Sequence, residues 1–222
     1  MKERLVDYTK DLARGAVLRC KGRTDRENLA DLMVVLWRAD EGHGHALVSV
    51  SGRDAGRLFA LLPPDSVPPD GGSLLLSKKW LECNWSIWGH PGYPIDAVEL
   101  IPEPPQSSGT AVPIKSYGQD LVCGDIIRCR AKWPYEDSVD FMVVQTSSEG
   151  PRRYAQLVFS GYKAGHIVTE FPAESRAVTI AGDGLSWVWL ERNWMIWGYD
   201  GCPWEDVLLI PKRRDSVTHA GE

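Results

Sequence analysis

One segment of the chain occurs twice at a constant offset of 109 residues, and this repetition limits the possible folds more than any other feature. Trp80-Leu-Glu-Cys-Asn-Trp-Ser-Ile-Trp-Gly89 returns as Trp189-Leu-Glu-Arg-Asn-Trp-Met-Ile-Trp-Gly198. The same offset carries Gly15 to Gly124, Arg19-Cys20 to Arg128-Cys129, Met33-Val-Val35 to Met142-Val-Val144, and Leu100-Ile-Pro102 to Leu209-Ile-Pro211. Residues 11–102 and 120–211 share 33 identities over 92 positions without a gap. Solenoid units are shorter, roughly 20 to 50 residues, so the chain reads as two copies of one small domain. Glu103-Pro-Pro-Gln-Ser-Ser-Gly-Thr-Ala-Val-Pro113 has the composition of a tether. The expected division is a first repeat at 1–103, a linker at 104–116 and a second repeat at 117–222.

Each copy opens with an apolar run of strand length, Ala16–Cys20 or Ile126–Cys129. Leu32–Trp37 or Phe141–Gln145 follows, then Ala46–Ser51 or Ala155–Ser160. Residues 40–45 and 147–153, rich in Gly, Ser, Glu and Pro, read as hairpin turns. A fourth strand is expected at Arg57–Leu62, because its counterpart His166–Phe171 alternates and is β-branched. The Trp segment differs: its matched positions 80, 81, 84, 85 and 88 share one face of a helix and cannot share one face of a strand. Ser77 and Ser186 fall at its N-cap, and Gly89 and Gly198 just past its end. A short strand, Ala97–Ile101 or Val207–Ile210, closes each unit. The expected class is α+β, each copy a curved antiparallel sheet of about five strands with one Trp-rich helix packed on it. Trp80, Trp85 and Trp88, with Trp189, Trp194 and Trp197, are expected to point inward as structural residues. Asn84 and Asn193 are the polar members of that stripe and need partners such as loop backbone.

Composition narrows the function. Thirty acidic against 25 basic residues leave a formal charge of −5, which disfavours direct nucleic-acid binding. The longest uninterrupted apolar run, Leu32–Trp37, is far below the roughly 18 residues needed to cross a bilayer. The first ten residues carry charge but no apolar signal region, so no membrane contact and a cytoplasmic location are expected. Five cysteines with no Cys-x-x-Cys spacing read as reduced thiols, with Cys20 and Cys129 as small buried residues. No histidine recurs at the offset, and His43 and His45 are expected as solvated loop residues. Neither a nucleophile elbow, a phosphate loop nor a His-Glu-x-x-His motif is present. No enzyme activity, metal or cofactor is expected. The repeated Gly-x-x-Ala-Gly segments at 52–56 and 161–165 read as bends.

A binding surface is expected where the copies disagree, since shared positions carry the common fold. Trp133, Tyr135, Tyr162 and Trp187 stand opposite Thr24, Arg26, Arg53 and Lys78; Trp204 opposes Ile95. The acids Glu136, Asp137, Asp140, Glu205 and Asp206 lie near them in sequence. Exposed aromatics among carboxylates suit a basic protein partner, with the aromatics as anchors and the acids steering approach. Two other classes remain open from the sequence. A carbohydrate- or peptide-binding module would expose matched Trp platforms in both copies, and a homo-oligomeric structural protein gains little from a chain that already contains its own pair.

The pattern Ser77-x-x-Trp80-Leu81-x-x-Asn84-Trp85-x-x-Trp88, closed by Leu100-Ile101, resembles a family of bacterial immunity proteins encoded beside polymorphic toxins and type VI secretion effectors. Ser186, Trp189, Leu190, Asn193, Trp194, Trp197 and Leu209-Ile210 repeat it. The resemblance implies a cytosolic inhibitor of a cognate toxin, a nuclease such as a DNase, acting by occlusion. It implies a monomer that forms a heterodimer with the toxin. Acidic side chains would stand in for phosphate at the nuclease cleft.

Overall fold

The computed structural model describes residues 3–20, 30–37, 44–69, 74–103, 106–131, 136–146, 154–179 and 182–212. Most of the expected turn at 40–45, and all of that at 147–153, lie outside these residues.

In the first copy β1 (Glu3–Arg4), β2 (Leu12–Ala13), β3 (Val17–Cys20), β4 (Ala30–Leu36), β5 (His45–Ser49), β6 (Leu58–Leu62) and β7 (Leu75–Leu76) precede α1 (Lys78–Trp88) and β8 (Glu99–Ile101). The second copy begins with β9 (Val112–Pro113), α2 (Ile114–Tyr117), β10 (Ile126–Arg130), β11 (Ser138–Gln145), β12 (Tyr154–Val158) and β13 (Ile167–Glu170). It continues with β14 (Arg176–Thr179), β15 (Gly182–Leu185), α3 (Trp187–Trp197) and β16 (Leu208–Ile210). Each copy forms a six-stranded antiparallel sheet, ordered β1-β8-β3-β4-β5-β6 and β9-β16-β10-β11-β12-β13. The two orders coincide under the offset, so the α+β tandem duplication read from the sequence is the architecture. The sixth strand in each sheet is a two-residue edge, too short to leave a periodic signal. β9 and α2 pack with the second sheet. A register shift at Leu47/Val48 recurs at Gln156/Leu157, and such bulges bend a sheet.

The Trp-rich helices form where the spacing predicts them. The Ser77 and Ser186 hydroxyls accept from the amides of Trp80 and Trp189, each at 3.2 Å. Asp11 and Asp120 accept the amides of Lys78 and Trp187, so two of the otherwise orphaned first-turn donors are satisfied in each copy. Leu81 and Trp85, like Leu190 and Trp194, are buried against the sheet. The indole N–H of Trp85 donates to the Tyr93 carbonyl and that of Trp194 to the Cys202 carbonyl, both at 2.7 Å, tying each helix to the loop that follows.

All three Trp of each helix pack on the core, as expected of structural residues, but only the middle one is buried. Trp80 and Trp88, and likewise Trp189 and Trp197, are only half-buried, and each pair meets ring to ring along the helix flank. At about 100° per residue, Leu81 and Trp85 centre on the sheet, which leaves position 80 well round the flank; position 88 lies at the helix end. Asn84 and Asn193 do not reach loop backbone: each amide donates to the carbonyl four residues back, Trp80 or Trp189, at 2.8 Å. The glycines after the helices serve a steric purpose. Gly89 is extended (φ −83°, ψ −177°), and a Cβ there would lie 2.3 Å from the Trp85 ring; Gly198 and Trp194 repeat this.

The apolar runs in β4 and β11 bury both faces. Leu32 and Val34 join the core beneath α1, whereas Met33 and Val35 point the other way. In β11, Phe141 and Val143 face α3, and Met142 and Val144 face away. The outward sets meet: Val17, Met33, Val35 and Val48 pack with Ile126, Met142, Val144 and Leu157 in one shared core. The layers therefore run helix, sheet, sheet, helix. Two-fold pseudo-symmetry governs the contact. The Leu36 amide donates to the Gly165 carbonyl at 2.8 Å, and its offset partner, the Gln145 amide, donates to the Gly56 carbonyl at 2.7 Å. Gly56 (φ +82°) and Gly165 (φ +80°) close the Gly-x-x-Ala-Gly bends, and a Cβ on either would lie 2.3 Å from the backbone nitrogen of Gly124 or Gly15. The repeated bend thus also allows the two copies to touch.

Candidate functional site

The residues singled out from the sequence separate into groups. Trp133 and Tyr135 lie outside the described residues. Glu136, Asp137, Asp140 and Tyr162 gather at one end of the second sheet, around two adjoining clefts. Trp187, Glu205 and Asp206 lie towards the other end of α3, whose 11 residues span about 16 Å.

Within the first group the roles differ. Asp137 is exposed and Tyr162 is 74% exposed. Glu136 is half-buried; its carboxylate accepts the Tyr162 amide at 2.6 Å and so holds the bend at 160–165. Asp140 is not a surface acid. It is 3% exposed and accepts two bonds from the Arg128 guanidinium, at 2.7 and 2.9 Å, with the Ser107 hydroxyl completing the group. Arg19 and Asp31 make the same two-pronged pair in the first copy, at 2.8 Å for both bonds. Asp140 therefore belongs to the shared scaffold, and its identity with Asp31 across the copies was the available signal.

Trp187 is also scaffold. It is half-buried, donates from its indole to the Ile114 carbonyl at 2.9 Å, and meets Trp204 edge to face. Lys78, its counterpart, instead pairs with Glu82 at 2.6 Å. Glu205 and Asp206 are exposed in the turn after Pro203. His45, expected in a solvated loop, is instead fully buried in β5. Desolvation lowers its pKa from 6.5 to about 4. All five cysteines are free thiols. Burial pushes the Cys20 thiol up to about 12, whereas Cys129 is pushed up first by a hydrogen bond shared with Cys202.

The first cleft, about 390 Å³, is walled by Phe141, Val158, Val168, Tyr162 and Tyr199 and lies over Gln156. Its neighbour is polar and includes Glu103, Asp137 and Asp140 with Arg128; Glu136, Ser160 and Tyr162 line both. In the first copy the corresponding positions carry different side chains. Phe59, where the second copy has Val168, stacks on His90 at 5.7 Å, and His90 meets Tyr93 at 4.7 Å. Tyr199, the counterpart of His90, turns instead onto Phe141 at 5.3 Å. Gln156 itself stands where the first copy has Leu47. Sequence reasoning did not single out Gln156, Val168 or Tyr199, although the copies differ at all three.

Among the described residues no group of three or more His, Cys, Asp or Glu side chains is placed to hold a metal ion. No helix there is long and apolar enough to cross a membrane. Set against known families, the chain matches the model described as Immunity protein 45 twice, over residues 5–100 and 114–209. The chain belongs to that family. It is a toxin-neutralising immunity protein built from two copies of the family's domain, and membership implies an inhibitor that acts by binding and not by catalysis. Searches among curated proteins and among solved structures return no match.

Proposed function

We propose that this immunity protein neutralises a nuclease effector of a type VI secretion system, in the cytoplasm, by binding as a monomer over the nuclease active site. The observation that carries this reading is the acidic double cleft on the second copy, with Glu103 and Asp137 exposed at its edge. A nuclease cleft must attract phosphate, and a rim of carboxylates beside aromatic side chains complements such a surface in charge. The outer face of α3 adds apolar area: Met195 is 89% and Ile196 78% exposed, just before the Gly198–Asp200 wall of the first cleft. Large apolar side chains left in water beside polar ones suit a protein contact. Trp133 and Tyr135, which fall in sequence between the lining residues Ala131 and Glu136, are proposed as further contacts, with Glu205 and Asp206 at the periphery.

The test is a complementation assay against the product of the gene beside this one, with a nuclease assay of the purified pair. The double variant Glu103→Lys and Asp137→Lys should lose protection and raise Kd at least about tenfold, while the salt dependence of binding weakens. Inhibition should saturate at one immunity protein per toxin. Undiminished protection by the double variant would remove the acidic edge from the interface, and inhibition at well below one equivalent would contradict stoichiometric blocking.

A further inference from the structure

We propose that the cleft over Gln156 is the anchor pocket of the toxin interface, and that it receives a single tyrosine side chain projecting from a basic patch of the toxin. This rests on the reading of the chain as an inhibitor that binds its toxin through the second copy. Three observations converge on the pocket. Gln156 is 1% exposed, and its amide nitrogen, itself shielded from solvent, meets no hydrogen-bond partner among the described residues. A buried donor left unpaired is costly, so a group from outside that accepts from it supplies a bond that none of the described residues makes. The side chains that shape the pocket are also specific to one copy, because Leu47, Phe59 and His90 hold the matching positions in the other, with Phe59 stacked on His90. Finally, the bulge at Gln156/Leu157 has its equivalent at Leu47/Val48, so the backbone is common and only the side chains differ.

The chemistry of the walls selects the occupant. Phe141, Tyr162 and Tyr199 favour an aromatic ring, and a space of about 390 Å³ lies at the small end of the range for ligand pockets, enough for one ring. Phenylalanine brings no acceptor to Gln156, and tryptophan brings only a donor. An aspartate or glutamate would meet Glu136 and Asp200 against the one lysine of the lining, Lys163, with Glu103 and Asp137 adding repulsion from the neighbouring cleft. A tyrosine hydroxyl accepts from the Gln156 amide without that repulsion. The same acids set the surroundings of the tyrosine, which must be basic for the surfaces to meet.

Two measurements test the proposal. In the first, the isotope-labelled full chain is titrated with p-cresol and, separately, with toluene, and the Gln156 side-chain amide is followed by NMR. p-Cresol should shift that resonance much further than toluene, and Val168→Phe, which puts the first copy's larger residue in the wall, should abolish the response. Equal responses, or none, would overturn the pocket chemistry. In the second, the product of the gene beside this one is bound to wild type, Gln156→Leu and Val168→Phe. Both variants carry first-copy residues and should keep or raise the melting temperature while raising Kd at least about tenfold. Wild-type affinity in both would overturn the anchor and leave the immunity reading intact. No binding by the wild type would bring down the toxin pairing itself, and the proposed occupant with it.

Discussion

At the scale of single residues, the molecule separates side chains that hold the fold from side chains that are available to a partner. Asp140 and Arg128 look like surface charges in sequence but form a largely buried, two-pronged pair, repeated by Asp31 and Arg19, in which the carboxylate is the more enclosed partner. Removing one member of such a pair leaves the other uncompensated, so Asp140→Ala should destabilise by roughly 3 kcal/mol in chemical denaturation. Unchanged stability with weakened toxin binding would return Asp140 to the interface. His45 provides a second case. Its pKa is depressed to about 4 in the fold, so between pH 6.5 and 4 the unfolded chain binds a proton that the folded chain refuses. Stability contributed by the neutral ring is complete above pH 6.5 and is lost on acidification. The loss should approach about 1.4 kcal/mol per pH unit, on the order of 3 kcal/mol in all. His45→Leu should flatten that slope in denaturation curves taken across this range, and an unaltered slope would assign it to other groups.

At the scale of elements, each Trp-rich helix is held at three points: the serine cap, the buried indole and the glycine beneath that indole. The three Trp of a helix are therefore unequal. Trp85→Ala should cost about 3–5 kcal/mol, as truncations of large buried aromatics do. Trp88→Ala, at a half-buried ring, should cost far less. Comparable losses from the two would mean that the flank carries as much packing as the sheet-facing side. Gly89→Ala should destabilise by about 1–3 kcal/mol, because the added methyl would press on both the Trp85 ring and the Trp85 carbonyl oxygen. Similar reasoning explains the bends at 52–56 and 161–165, where glycine supplies both a left-handed φ and room for the other copy. Only the bend itself was legible in sequence, since close approach between distant segments leaves no local pattern.

At the scale of the whole molecule, the two copies share a core built from the faces of the sheets that turn away from the helices. Neither copy can lose that core without exposing the other, so calorimetry should find one cooperative unfolding transition for the full chain. Two resolved transitions would show the copies to be energetically independent. Met142→Asp, placed in the shared core, should also increase hydrogen exchange in β4 of the first copy. The duplication, the strands, the helices and their serine caps could be read from sequence because they depend on local periodicity and turn chemistry that appear twice. The resemblance to immunity proteins rested on the same repeated helix. How the copies face one another, which acids remain in water, and where an unfilled pocket opens over Gln156 depend on contacts between residues distant in the chain. The apolar run at 32–37 recorded that both faces of a strand are buried, but not what buries them, because hydrophobic burial has magnitude without direction and only the assembled layers supply the partner.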